Sequence, residues 1–172
     1  MIRWLYVLIY VVVFVILQTL VIDNIHLFGI VTPFIYIYVI LKMPVDMNRS
    51  YIILLAFFLG LIIDYFSNTF GIHAAACSLL GFIRNPLVEQ FVDVRELPAG
   101  SIPSYRIFGF GNFFYYTLIL VTLHHAVLFS IDSFGFFQPA QLFIRMSSSI
   151  ALTVLLMVII ETFNHRKTKR SE

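Results

Sequence analysis

The chain alternates long apolar runs with short polar interruptions. The first run, "WLYVLIYVVVFVILQTLVI", covers residues 4–22. A bilayer core about 30 Å thick takes roughly 20 helical residues, with about 17–25 tolerated, so this run predicts a membrane span. It is too long for a signal-peptide core, and the bulky, polar "LQTLVIDN" offers no small-residue cleavage site, so a retained span is expected. Further spans are expected at 27–41, 51–66, 71–83, 113–131 and 142–161. Pro33 should kink the second or mark where it begins. The fourth is short enough to be a tilted or re-entrant half-helix. The pattern predicts an all-α polytopic membrane protein, a single domain over residues 1–172 built as a compact bundle of about six transmembrane helices.

The polar interruptions carry the orientation. Arg3 precedes the first span, Lys42 and Arg49 follow the second, and Arg84, Arg95 and Arg106 follow the fourth. Arg166, Lys167, Lys169 and Arg170 form a basic tail within residues 162–172. The alternate loops hold no Lys or Arg, and only Arg145, at the outer end of the sixth span, breaks the pattern. Retention of positive charge then places both termini in the cytoplasm. The tail reads as a juxtamembrane anchor, each basic residue worth about 1 kcal/mol beside an anionic leaflet. It calls for no nucleic acid. Within residues 84–112, Leu87, Phe91, Val94 and Leu97 recur at helical spacing against Glu89, Gln90, Asp93 and Glu96. An amphipathic helix on the cytoplasmic interface is expected there, ended by Pro98, Gly100 and Pro103.

Composition agrees with lipid as the solvent. The 172 residues are 60% hydrophobic and 12% charged, against roughly 25% charged in soluble domains. The mean hydropathy is +0.95. One cysteine, Cys77, rules out an internal disulfide and a thiolate cluster.

Candidate chemistry centres on Asp64, in "GLIIDYFSNTFGIHA". A charge near the bilayer centre costs about 2.5–3.5 kcal/mol, less towards the interface. An acid near a helix C-terminus also opposes the dipole. Ser67, Asn68, Thr69 and the amino end of the fourth span could offset both costs, Gly71 closing the turn. A partner or ligand contact, or proton or metal chemistry, stays open beside that structural reading. His26, His73 and His125 fall with Asp64 in the outer half and form a candidate polar cluster. His124 and His125 point about 100° apart on a helix, and no HxxxH or HExxH spacing is present, so hydrogen bonding is expected rather than zinc. A peptidase would need two carboxylates. Asp64 could pair with Asp132, while topology puts Glu161 at the other leaflet. "FGFGN" superficially resembles a GxGD peptidase motif, but Asn112 stands where the acid is needed. Ser147, Ser148 and Ser149 lack a flanking glycine and read as small packing residues, as does "HAAACS". No catalysis, cofactor or metal is expected.

"ILQTLVIDNIHLFGIVTPFIYIYVILKMP" and "GLIIDYFSNTFGIHA" together resemble MreD, the family of small bacterial rod-shape-determining membrane proteins. Gly60, Asp64 and Gly71 stand at that family's G-x-x-x-D-x-x-x-x-x-x-G positions. The resemblance implies a non-enzymatic scaffold of the cell-wall elongation complex in the bacterial inner membrane. The partners it implies are an MreC-like bitopic protein, the RodA glycosyltransferase with its transpeptidase, and the actin-like MreB. It also implies a fold similar to the S components of energy-coupling-factor transporters, which share a Gly–Asp signature. A substrate-capture subunit is therefore the alternative, with a polar outer pocket that His26, Asp64, His73 and His125 could line. The chain departs from many MreD relatives in its long, charged stretch 84–112 and its 17% aromatic content.

Overall fold

The computed structural model describes residues 9, 11–22, 31–132 and 139–170, with side chains excepted at 20–22 and 166–170. His26 lies outside the described residues, as do the side chains of Arg166, Lys167, Lys169 and Arg170. No β-strand occurs among the described residues. Helix α1 covers residues 11–22 and is π-helical over Leu17–Ile22. It is followed by α2 (Ile37–Leu41), α3 (Arg49–Ser67), α4 (Ile72–Phe91), α5 (Tyr105–Asp132) and α6 (Pro139–Arg170).

Asn48 starts α3, its side chain accepting from the Ser50 N–H at 2.9 Å. Asn68 ends it in the left-handed region at φ 54°, and Gly71, at φ 80°, opens α4. That turn folds α3 and α4 into a helical hairpin. α5 packs on α4, and α6 packs on α5. Three helical stretches, Arg49–Ser67, Tyr105–Asp132 and Pro139–His165, are long and apolar enough to cross a membrane. Their outward faces carry exposed apolar side chains, among them Leu54, Phe58, Ile119, Ile144 and Leu155. A membrane protein is the consistent reading.

Lipid tails are as apolar as leucine, so close packing and hydrogen bonds must hold the helices together. Glycine supplies the packing between α3 and α4. A Cβ at Gly60 would fall 2.5 Å from Ala74 Cα and 2.5 Å from His73 O, so only glycine fits. A Cβ at Gly81 would lie 3.0 Å from Ile53 Cα and 3.1 Å from Ala56 Cβ.

Four expectations are corrected. The second span, expected over 27–41, is helical only at Ile37–Leu41 among its described residues. Pro33 has no N–H to donate, and side chains of α1 and α6 take the neighbouring amides. The fourth helix does not stop at Ile83 but runs to Phe91, through Pro86. Proline deprives the carbonyl four residues back of its donor, here Phe82 O. Arg49 Nε donates to that oxygen at 3.1 Å, and its guanidinium lies 3.8 Å from the Phe82 ring centroid. The separate amphipathic helix is consequently absent. Leu87 and Phe91 belong to the last turns of α4, Val94 sits in a 3-10 turn (Val94–Glu96), and Leu97 caps that turn. The fifth helix starts at Tyr105 rather than Phe113 and breaks at Gly109, φ 73°.

Overpacking a core costs about 1–3 kcal/mol, and at Gly60 the obstructing atoms are backbone, which cannot give way. Gly60→Ala is expected to lower the unfolding midpoint of the detergent-solubilised protein sharply. Gly111→Ala, where a Cβ meets nothing within 4 Å, should leave it unchanged.

Candidate functional site: the buried polar interior

Asp64 is 3% exposed, and its carboxylate faces the first turn of α4. Oδ1 accepts from Thr69 Oγ1 at 2.5 Å and from the His73 N–H at 3.1 Å, while Oδ2 accepts from the Ala74 N–H at 2.8 Å. The first four N–H groups of a helix lack intrahelical partners. Gly71, at the N-cap of α4, makes no side-chain cap. Asp64 supplies that cap from the neighbouring helix. It stands at the end of α3, where the dipole disfavours an anion, but it abuts the start of α4, where the dipole favours one. Gly60 lies one turn earlier, and its missing side chain lets the α4 backbone come within reach.

His73 links this cap to a second network. Its Nδ1 is 2.7 Å from Tyr36 Oη, and Tyr36 Oη is 2.8 Å from His124 Nε2. A phenol carries one proton, so Tyr36 donates to one imidazole and accepts from the other. His124 is fully buried, and its Nδ1 has no hydrogen-bond partner. The Phe34 ring lies 5.4, 5.7 and 5.2 Å from the rings of His73, His124 and His125. His125 turns elsewhere, its Nδ1–H donating to Val121 O at 2.8 Å and its Nε2 standing 3.4 Å from Thr153 Oγ1. The expected cluster of His26, Asp64, His73 and His125 is thus not one constellation among the described residues. Asp64 meets the backbone of His73, and His124 replaces His125 as the imidazole beyond Tyr36.

The non-helical stretch before α2 is held by side chains. The Thr32 N–H donates to Ser149 Oγ at 3.1 Å, the Phe34 N–H to Thr153 Oγ1 at 3.1 Å, and the Ile35 N–H to Gln18 Oε1 at 2.9 Å. Gln18 Nε2 returns a hydrogen bond to Pro33 O at 3.2 Å. Irregular backbone at membrane depth persists only where it is buried in protein or lines a water-filled cavity, and here side chains of the protein satisfy it. Ser149 therefore serves as a hydrogen-bond acceptor, whereas Ser147 and Ser148 bond back to carbonyls of their own helix.

A third polar group occupies the opposite end of the bundle. Lys42 Nζ and Glu161 Oε2 are 2.8 Å apart, and Tyr38 Oη donates to the same oxygen at 2.7 Å. Lys42 also donates to Pro103 O at 2.5 Å, and the Tyr105 N–H donates to Glu161 Oε1 at 3.3 Å. Burial pushes the Lys42 ammonium below its ordinary pKa, and the Glu161 carboxylate opposes that shift. Arg84, expected in a loop, is wholly buried in α4 and donates to Met43 O and Pro44 O beyond the end of α2. These residues had faint signals in the sequence. Gln18 is the one amide inside the first apolar run, and Lys42, Arg84 and Glu161 each sit at the edge of a run.

A cleft of about 370 Å³ opens at the hairpin end, its walls including Thr32, Phe34, Thr69, His73, Asp132 and Arg145. Neither Asp64 nor His125 lines it. Among the described residues no three His, Cys, Asp or Glu side chains are grouped to hold a metal.

Asp64→Asn replaces one acceptor oxygen with a donor that faces an N–H. Losing a cap costs about 0.5–2 kcal/mol, and hydrogen bonds to a charged group are worth about 1.5–3 kcal/mol. The variant is expected to lose about 2 kcal/mol or more of stability, read as reduced abundance and a lower unfolding midpoint. Unaltered stability would show that the carboxylate is not the cap. No family model, curated protein or solved structure matches the chain.

Proposed function

We propose that the chain is a non-enzymatic membrane scaffold of the cell-wall elongation complex, as its resemblance to the MreD family implies. In this reading it sits in the bacterial inner membrane as a six-span bundle similar to the S components, with both termini cytoplasmic. It binds an MreC-like bitopic protein and is coupled to the RodA glycosyltransferase, its transpeptidase and MreB. The observation that carries the reading is the engagement of both Asp64 carboxylate oxygens by Thr69, His73 and Ala74. The acid on which the family motif turns is occupied in joining α3 to α4, and Glu161 is likewise engaged by Lys42 and Tyr38. Function then falls to the outward helix faces. On α3 these expose Tyr51, Phe58, Tyr65 and Phe66, aromatic side chains suited to lateral contact with protein or lipid.

One observation favours a second reading, the substrate-capture subunit of a transporter. The cleft at the hairpin end is open and walled by polar and aromatic side chains.

Affinity purification of the tagged chain from crosslinked native membranes, with mass spectrometry of what accompanies it, separates the two. Recovery of an MreC-like protein with RodA and its transpeptidase is expected. Recovery of an ATPase pair without them would overturn the scaffold reading in favour of the transporter.

A further inference from the structure

Two charged side chains of opposite sign, unpaired among the described residues, line the cleft at the hairpin end. Asp132 closes α5 and Arg145 lies in the second turn of α6, and both line the cleft. Their charged groups make no ion pair with each other and no hydrogen bond among the described residues. The Arg145 guanidinium lies 6.0 Å from the centroid of the Phe129 ring. Each charge is also poorly placed for the chain alone. Asp132 stands at a helix C-terminus, where the dipole disfavours a carboxylate. Arg145 is the single Lys or Arg at this end of the bundle among the described side chains, since Lys42, Arg49, Arg84, Arg95 and Arg106 belong to the other. A bipolar ligand would offset both.

We infer that this cleft binds a zwitterion joining a phosphate to a primary ammonium, the chemistry of phosphoethanolamine, either free or as the headgroup of a lipid. The phosphate meets the planar fork of Arg145, which suits an oxyanion, and the ammonium meets Asp132. A simple anion would be repelled by Asp132 and a simple cation by Arg145. A lone carboxylate is too few ligands for a divalent metal. Phe34 and Phe66 form apolar wall on which a glycerol backbone or acyl stem can lie. The volume, about 370 Å³, falls within the range of small-molecule pockets, roughly 300–1,000 Å³. The cleft also lies at the ends of membrane-crossing helices, the level at which headgroups sit. The site does not rest on the scaffold reading, because partner recovery and headgroup binding can fail separately.

The test titrates glycerophosphoethanolamine into the purified full chain in detergent by calorimetry. Glycerol 3-phosphate and ethanolamine serve as single-charge controls. Saturable one-to-one binding of the zwitterion is expected, with each control about tenfold weaker or worse. Arg145→Gln and Asp132→Asn should each weaken zwitterion binding by about tenfold. Both side chains are exposed, and unchanged unfolding midpoints of the unliganded variants would confirm intact folding. If the soluble headgroup does not bind, nanodiscs containing phosphatidylethanolamine and phosphatidylglycerol are compared with phosphatidylglycerol alone. A raised unfolding midpoint in the mixture, lost in both variants, assigns the site to the lipid-attached form. Equal binding of the three solutes, indifference to both substitutions, or no response in detergent and nanodiscs alike would overturn the inference.

Discussion

The contact between the Asp64 carboxylate and the amides of His73 and Ala74 determines how α3 and α4 meet, and much of the bundle follows from it. A helix that begins inside a membrane protein leaves amides that water cannot reach. Here the neighbouring helix provides the acceptor, and Gly60 provides the clearance. The two are one device. A side chain at Gly60 would separate the backbones, and the carboxylate would then face donors it could no longer reach. Because His73 is fixed by its own N–H, its ring is aimed at Tyr36, and through Tyr36 at His124 on α5.

The same constraint recurs at other interruptions of the helical ladder. Around Pro33 the amides go to Ser149, Thr153 and Gln18. At Pro86 the freed Phe82 carbonyl goes to Arg49. At the last residue of α2 the Leu41 carbonyl goes to Tyr116, and beyond α2 those of Met43 and Pro44 go to Arg84. Each case exchanges a backbone partner for a side chain on another element. The interruptions thereby become interhelical links, which matters in a solvent that gives helices no hydrophobic reason to associate.

This explains which features could be read from the sequence. The apolar runs of α3, α5 and α6 are visible because helix length and hydropathy are local properties. The Asp64 cap was also within reach, since its donors lie only 5, 9 and 10 residues away. The Tyr36–His124 contact joins residues 88 apart, and Phe34–Thr153 joins residues 119 apart, so neither exists until the packing order of the helices is known. The expected break at Arg84 failed because a charge inside an apolar run looks like a loop. Only the fold reveals carbonyls within reach of the guanidinium. The expected amphipathic helix failed for a related reason. The periodicity at Leu87 and Phe91 was real, but it continued α4 rather than starting a new element.

The most direct test is residue-resolved amide hydrogen exchange of the full chain in nanodiscs, read at His73 and Ala74. Amides in the first turn of a helix ordinarily exchange fast, having no acceptor within the helix. Capping by Asp64 predicts protection at both positions comparable to that in the middle of α4. Exchange as fast as in an uncapped first turn would contradict the account.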